Sequence, residues 1–362
     1  MSPDQLAFAT TDDTRAAERF AERIARMLDD GAAAVLLGLG HRAGLFAAMV
    51  EQPPATSVAI AGRAGLAERY VREWLAAMTT ARVVAYNAES DTYRLPWQHA
   101  ACLVPDAPLG NLALFGQHVA LMGQVARPVL RCLRESGGLT YADYPCFHAM
   151  MEEDSAQTVT AALFDHVLPL VPGLGDRLAA GIEVLDAGCG RGSALRALAA
   201  RFPASRFTGY DLCADAVAHA AEAAAADGLV NLRFEQRDLS DYDAREVFDL
   251  VTSFDAVHDQ KDPERFLHAL RTALRPGGVY LVQDIGGSAR LEDNLDFPFA
   301  TFLYAISLTH CTPVSIGQGG AGLGTMWGWQ TAEAMLRGAG FATVECHRFV
   351  HDPMNVWFVA RG

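Results

Sequence analysis

Glu183-Val184-Leu185-Asp186-Ala187-Gly188-Cys189-Gly190-Arg191-Gly192 constrains this chain more than any other stretch. It reads as a buried strand running into a turn of three alternating glycines, with a carboxylate just before the turn. Glycine reaches positive φ without a Cβ penalty and lets a ligand approach the backbone closely. The next strand-like run, Ser205 to Tyr210, ends at Asp211, whose carboxylate suits the two hydroxyls of a ribose. These residues place a nucleoside ligand at the first crossover of a parallel sheet, and the downstream acid argues against a glycine turn that holds nothing. A dinucleotide fingerprint needs G-x-G-x-x-G, so that pyrophosphate meets a helix N-terminus. Here one residue, not two, separates Gly190 from Gly192. A carboxylate at this position can hold a ligand's ammonium or hydroxyl group.

This D-x-G-x-G-x-G pattern resembles motif I of the class I S-adenosylmethionine (SAM)-dependent methyltransferases. The remaining motifs of that family follow in order. Asn231 to Leu239 resembles strand 3 and the acid that meets the adenine amino group, and Phe248 to Phe254 resembles strand 4. Leu274-Arg275-Pro276-Gly277-Gly278 is similar to the L-x-P-G-G turn into strand 5, and Val356 to Ala360 to the closing strand. The resemblance implies an α/β architecture, with a C-terminal Rossmann-like domain of seven strands behind an N-terminal, mainly helical, winged-helix-like domain. It also implies a SAM site built from Asp186, Gly188, Gly190, Gly192, Asp211, Leu212, Asp238, Leu239 and Phe254. The expected boundaries are 1–105 for a winged-helix dimerisation domain, 106–170 for helices roofing the active site, and 171–362 for the SAM-binding domain.

Length agrees with two domains: 362 residues exceed one typical core. No apolar run reaches bilayer length, and Met1 to Asp13 is too polar and acidic for a signal peptide. Seven cysteines without a C-x-x-C pair point to reduced thiols and a cytoplasmic location. A formal charge of −14 disfavours nucleic acid as a partner.

In the N-terminal half, Thr14 to Asp30 shows helical apolar spacing at Phe20, Ile24, Met27 and Leu28. Ala32 to Leu39 is more uniformly apolar and reads as a separate helix buried on all sides. A helix from Leu66 to Thr79 and a hairpin through Arg82–Tyr86 and Thr92–Leu95 complete a winged-helix outline. The would-be recognition helix mixes Arg69 and Arg72 with Glu68 and Glu73, so it presents no basic face. The family resemblance makes this unit a dimerisation domain and the protein a homodimer. DNA binding by a SAM-sensing regulator is the rival reading.

The acceptor side centres on Asp255 to Pro263, after strand 4, where the donor methyl must point. His258-Asp259 resembles the position of the general base of O-methyltransferases, and an imidazole with pKa near ~6.5 suits that task. After strand 5 comes a long excursion holding Ser307 to Cys311 and the glycine-rich run Gly317 to Gly324. Its His310, with His258, resembles the metal site of the metal-dependent 2-oxo-acid β-carbon methyltransferases of peptide-antibiotic biosynthesis. That resemblance implies an iron or zinc ion held by both imidazoles, with Asp259 as a ligand or a supporting partner. The ion would act as a Lewis acid that favours the enolate of a 2-oxo acid. Metal-free O- or N-methylation of an aromatic metabolite, with His258 as base, is the alternative. Arg127 is a candidate for the substrate carboxylate, and Phe147 and Phe299 are candidates for an apolar wall.

Overall fold

The computed structural model describes residues 10–105 and 107–362, and the chain divides into two compact units, Met1–Ala120 and Leu121–Gly362. In the first unit, helix α1 (Thr11–Arg42) starts at Thr10, whose hydroxyl accepts the Asp13 amide at 3.1 Å. The two helices expected here are one. Nothing between Asp29 and Ala32 caps or breaks the backbone, so the 3.6-residue stripe runs straight through Gly31. The burial expected of Ala32–Leu39 is a correction too. Gly38 and Gly40 are buried, but Val35 and Leu39 are exposed and continue an apolar stripe from Phe20, Ile24, Met27 and Leu28.

Three shorter helices follow, α2 (Leu45–Met49), α3 (Ser57–Ala64) and α4 (Glu68–Thr80), then the hairpin β1 (Ala85–Asn87) and β2 (Thr92–Arg94). Phe46, Ile60, Leu75 and Met78 form their core, each essentially fully buried, and the Trp74 indole donates to the Leu36 carbonyl at 2.9 Å. This is the winged-helix outline read from the sequence.

The second unit is a seven-stranded sheet in the order β5-β4-β3-β6-β7-β9-β8. Its strands are β3 (Glu183–Ala187), β4 (Arg206–Asp211), β5 (Leu232–Gln236), β6 (Phe248–Phe254), β7 (Leu274–Ile285), β8 (Thr343–Phe349) and β9 (Asp352–Arg361). The first five are parallel, and β9 is antiparallel to both β7 and β8. The central strands are near-continuous apolar runs because helices cover both faces of a parallel sheet. Leu185, Val251, Tyr280 and Phe358 sit in one core layer, and Val184, Leu250, Leu281 and Trp357 in the other. The strand order reverses between β3 and β6, so the carboxyl ends of β3, β4, β6 and β7 open on one crevice. Among the described residues no helix is long and apolar enough to cross a membrane.

Candidate active site

The crevice is a cleft, open at its mouth, with walls drawn from the ends of β3, β4 and β6 and from the helix Phe147–Ser155. On its β3–β4 side the glycine turn is held to β4: the amides of Gly188 and Cys189 both donate to the Tyr210 carbonyl. Gly192 has φ of +75°, and a Cβ there would lie 2.4 Å from the Phe234 ring, so any side chain would be strained and would have to displace that ring. Gly190, at φ +52°, faces open space instead.

Three carboxylates flank this turn. Register pairs Asp186 with Thr252 of β6, and the Thr252 hydroxyl donates to Asp186 Oδ1 at 2.7 Å. Burial pushes the Asp186 carboxyl up to about 7 in spite of that bond. Asp211 accepts the amides of Gly190 and Cys213, each at 2.8 Å, which fixes the carboxylate against the turn. Asp238 accepts the Ser240 amide and hydroxyl and the Lys261 ammonium at 2.6 Å. Burial opposes its ionisation, but these donors outweigh it and hold the group at about 2. Gly188, Gly190, Leu212, Leu239 and Phe254 line the same cleft as the three acids.

Glu152 accepts Arg191 Nη1 at 3.1 Å and the Ser193 hydroxyl at 3.3 Å, which ties Phe147–Ser155 to the residues just after the glycine turn.

The other side of the cleft is built differently. His258 is 2% exposed and lies beneath the wall formed by Asp255, Ala256 and Asp259. Its Nδ1 bonds to Asp284 Oδ1 at 2.8 Å, and its Nε2 lies 3.5 Å from Asp259 Oδ1. Asp284 Oδ1 also accepts the Trp327 indole at 3.0 Å and the Ile285 amide. Burial alone would lower the imidazole, but the carboxylate of Asp284, with further help from Cys311 and Asp259, raises it well above the usual histidine range. Asp255 has φ of +56°, and burial pushes its carboxyl to about 7 although His258 pulls it down. Asp255 Oδ1, Asp259 Oδ1 and Asp284 Oδ2 are buried oxygens with no hydrogen-bond partner. Such groups cost free energy unless a ligand or proton completes them.

His310 lies on a wide helical turn, Ser307–Cys311, closed by the Thr312 amide bonding back to the Ser307 carbonyl. Phe147 stacks on its ring at 3.9 Å, Tyr144 meets it edge-on, and the Tyr144 hydroxyl donates to the Thr309 carbonyl at 2.8 Å. Burial lowers His310 to about 4, so it is neutral, and its Nε2 has no partner. Asp259 stands between the two imidazoles: Oδ1 faces His258, and Oδ2 is 3.9 Å from His310 Nδ1 and accepts the Tyr141 hydroxyl at 3.3 Å. Among the described residues the donor sets compact enough to share one ion there are His258–Asp259–Cys311 and Asp255–His258–Asp284; neither includes His310. Cys311 is a weak member, since burial pushes its thiol up to about 12 and the Thr325 hydroxyl donates to its sulfur at 2.8 Å.

Of the substrate candidates, Phe147 lines the cleft. Arg127 is exposed on the helix Gly116–Glu135, and Phe299 is 46% exposed at the start of Ala300–Ile306; neither is among the residues lining the cleft. Sequence reasoning missed Asp255, Tyr141, Trp327 and above all Asp284. A carboxylate ending the apolar run Val279-Tyr280-Leu281-Val282-Gln283-Asp284 was the signal for the last, because an acid at that depth is costly without a task.

Residues 31–104 match a family described as an Rv2258c-like winged HTH domain, and residues 178–305 match a methyltransferase domain. A stretch of 101 residues is 42% identical to trans-aconitate 2-methyltransferase of Deinococcus radiodurans, covering 28% of this chain and 37% of that protein. The corresponding enzyme of Variovorax paradoxus is 30% identical over 126 residues, 34% of this chain and 44% of its own length. The chain thus spans less than half the length of these curated relatives. Among solved structures, human N-acetylserotonin methyltransferase in complex with SAM superposes with a TM-score of 0.67 at 16% identity, covering 98% of this chain and 99% of that one. Mitomycin 7-O-methyltransferase gives 0.65 at 18%, covering 96% and 100%. At such identities the likeness is one of fold.

Proposed function

We propose that this chain, a winged-helix domain followed by a methyltransferase domain, transfers the methyl group of SAM to a small molecule. One observation carries the reading: the glycine turn with Asp186, Asp211 and Asp238 lines the same cleft as Asp255 and Asp259, beneath which His258 is buried. Asp186 meets the donor's ammonium, Asp211 the ribose diol, and Asp238 and Leu239 the adenine. The acceptor's proton goes to Asp259, which the charged His258 imidazole faces at 3.5 Å, and Asp284, itself held by the Trp327 indole, fixes that imidazole through Nδ1. The protein is a cytoplasmic homodimer in this reading. All seven cysteines are unpaired, and the apolar stripe on α1 is a surface for a second copy. A DNA-binding regulator has less support, because Arg69 is paired with Glu73 and Arg72 with Glu68.

A second, narrower reading is metal-assisted methylation at the β-carbon of a 2-oxo acid in antibiotic biosynthesis. It draws on the unpartnered His310 Nε2 and Asp259 Oδ1. His258, Asp259 and His310 are the residues that would hold an iron or zinc ion, and a Lewis acid there would favour the enolate.

The test is S-adenosylhomocysteine (SAH) binding by calorimetry, together with SAH formation from SAM across an acceptor panel with and without chelator. Failure to bind either nucleoside overturns the methyltransferase reading. Full turnover in chelator overturns the metal-assisted one. His258→Ala is expected to keep SAH binding and to lose about 10²–10⁴-fold in rate.

A further inference from the structure

We propose that His258, Asp259 and Cys311 bind one zinc ion, and that His310 steadies the sulfur from outside the ligand set. The inference rests on the metal-assisted reading and changes its third ligand from an imidazole to a thiolate.

The ligand atoms of His258, Asp259 and Cys311 all lie within 4.8 Å of one another, and all three residues are buried. His258 Nε2 and Asp259 Oδ1 are 3.5 Å apart. Nitrogen and oxygen ligands at about 2.0–2.2 Å from a tetrahedral zinc stand about 3.3–3.6 Å from each other. Asp259 Oδ1 has no hydrogen-bond partner, on a residue only 8% exposed, and it is turned to His258. A buried oxygen of that kind calls for a partner. Asp259 also lines the cleft, which gives an ion a way in.

Each ligand is braced on its outer side. His258 Nδ1 donates to Asp284 Oδ1 at 2.8 Å, and the Trp327 indole donates to the same oxygen at 3.0 Å. Asp259 Oδ2 accepts the Tyr141 hydroxyl at 3.3 Å, and the Thr325 hydroxyl donates to Cys311 Sγ at 2.8 Å. A carboxylate behind a ligating imidazole fixes its tautomer and raises its basicity. Burial pushes the Cys311 thiol up to about 12, but a coordinated cation deprotonates a thiol outright. Imidazole, thiolate and one carboxylate together form a zinc donor set, not one for magnesium or calcium.

His310 has a different task. Among the described residues no donor set compact enough for one ion includes it. Phe147 and Tyr144 clamp its ring, and Nδ1 lies 3.6 Å from Cys311 Sγ, where its N–H supports the thiolate.

Cobalt(II) and zinc(II) are the probes, titrated into full-length protein stripped with chelator. One equivalent of cobalt should give the near-ultraviolet sulfur-to-cobalt charge-transfer band, and one of zinc should erase it. Cys311→Ser and, independently, Cys311→Ala should lose the band and bind zinc about 100-fold or more weaker. His310→Ala should keep the band and lose no more than about 10–100-fold in zinc affinity, as removal of an outer support does. Cys213→Ser, in the other described set with a cysteine, should leave the band unchanged. A cooperative thermal unfolding transition in chelator shows that each variant is folded. No stoichiometric binding of either metal, a band that survives in both Cys311 variants, or a band lost in His310→Ala overturns the assignment. An intact band with full turnover in chelator supports the zinc site and fails only the metal-assisted reading. An intact band without SAH binding supports the site and fails the methyltransferase reading.

Discussion

The two sides of the cleft use the same residue type for opposite purposes. On the donor side Asp186, Asp211 and Asp238 each receive protein donors, so these carboxylates are set in place before any ligand arrives. On the acceptor side Asp255, Asp259 and Asp284 keep buried oxygens without partners around one imidazole. A finished site binds with little reorganisation. An unfinished one stores the cost of desolvated charge until the ligand completes it. In the proposed reading the contrast separates a half built for the nucleoside donor from a half that the acceptor completes.

The largest effect should come from the buried support of the acceptor side. Asp284→Asn keeps the shape of the pocket but takes the charged partner from His258 Nδ1, and methyl transfer is expected to fall about 10²–10⁴-fold. SAH affinity should stay within about twofold, since additivity holds for groups that share no partner. A comparable loss of SAH binding would mean that the two halves are one unit.

Next in size is a pair of substitutions within the donor side. Gly192→Ala brings a Cβ against Phe234 at positive φ and should lower stability by about 1–3 kcal/mol in thermal unfolding. Gly190→Ala points its Cβ into open space, so the fold should lose no more than about 1 kcal/mol while SAH affinity drops about tenfold or more. Equal stability losses for the two would show that Gly190 is conformational rather than ligand-facing.

The smallest effect is a pH dependence. Burial raises Asp186 to about 7, and a ligand ammonium binds its ionised form. Below pH 7 binding must first remove a proton; above it the carboxylate is ready. SAH affinity is therefore expected to rise about tenfold from pH 6 to pH 8 and then level off. Asp186→Asn should remove the slope. A slope that persists in this variant would assign it to another group.

The two sides also differ in how far the sequence revealed them. The donor side is local: a strand, a glycine turn and the first acids after the next two strands bring all its parts into register, and their spacing states the chemistry. The acceptor side joins residues from four distant segments. Tyr141 and Phe147 precede the sheet, Asp255–Asp259 follow β6, Asp284 ends β7, and His310 and Trp327 sit on the excursion after it. Their meeting depends on tertiary packing such as Phe147 on His310, and no spacing encodes that. Asp284 was legible in principle, as an acid in an apolar strand. The exposure of Arg127 and Phe299 was not, because amphipathic helices offer several faces of similar composition. In the first unit the absence of a stop signal near Gly31 was readable and predicts the single long helix. The outer apolar stripe of that helix has the composition of a core face, yet it is exposed.

The left-handed backbone at Asp255 carries an evolutionary consequence. Glycine, asparagine and aspartate adopt φ of +56° at the least cost, so the backbone favours these three residues at this position. Aspartate and asparagine codons differ by one nucleotide. A single base change can therefore switch the charge at the acceptor wall while leaving the chain trace intact, which gives this fold a short mutational route between acceptors of different charge.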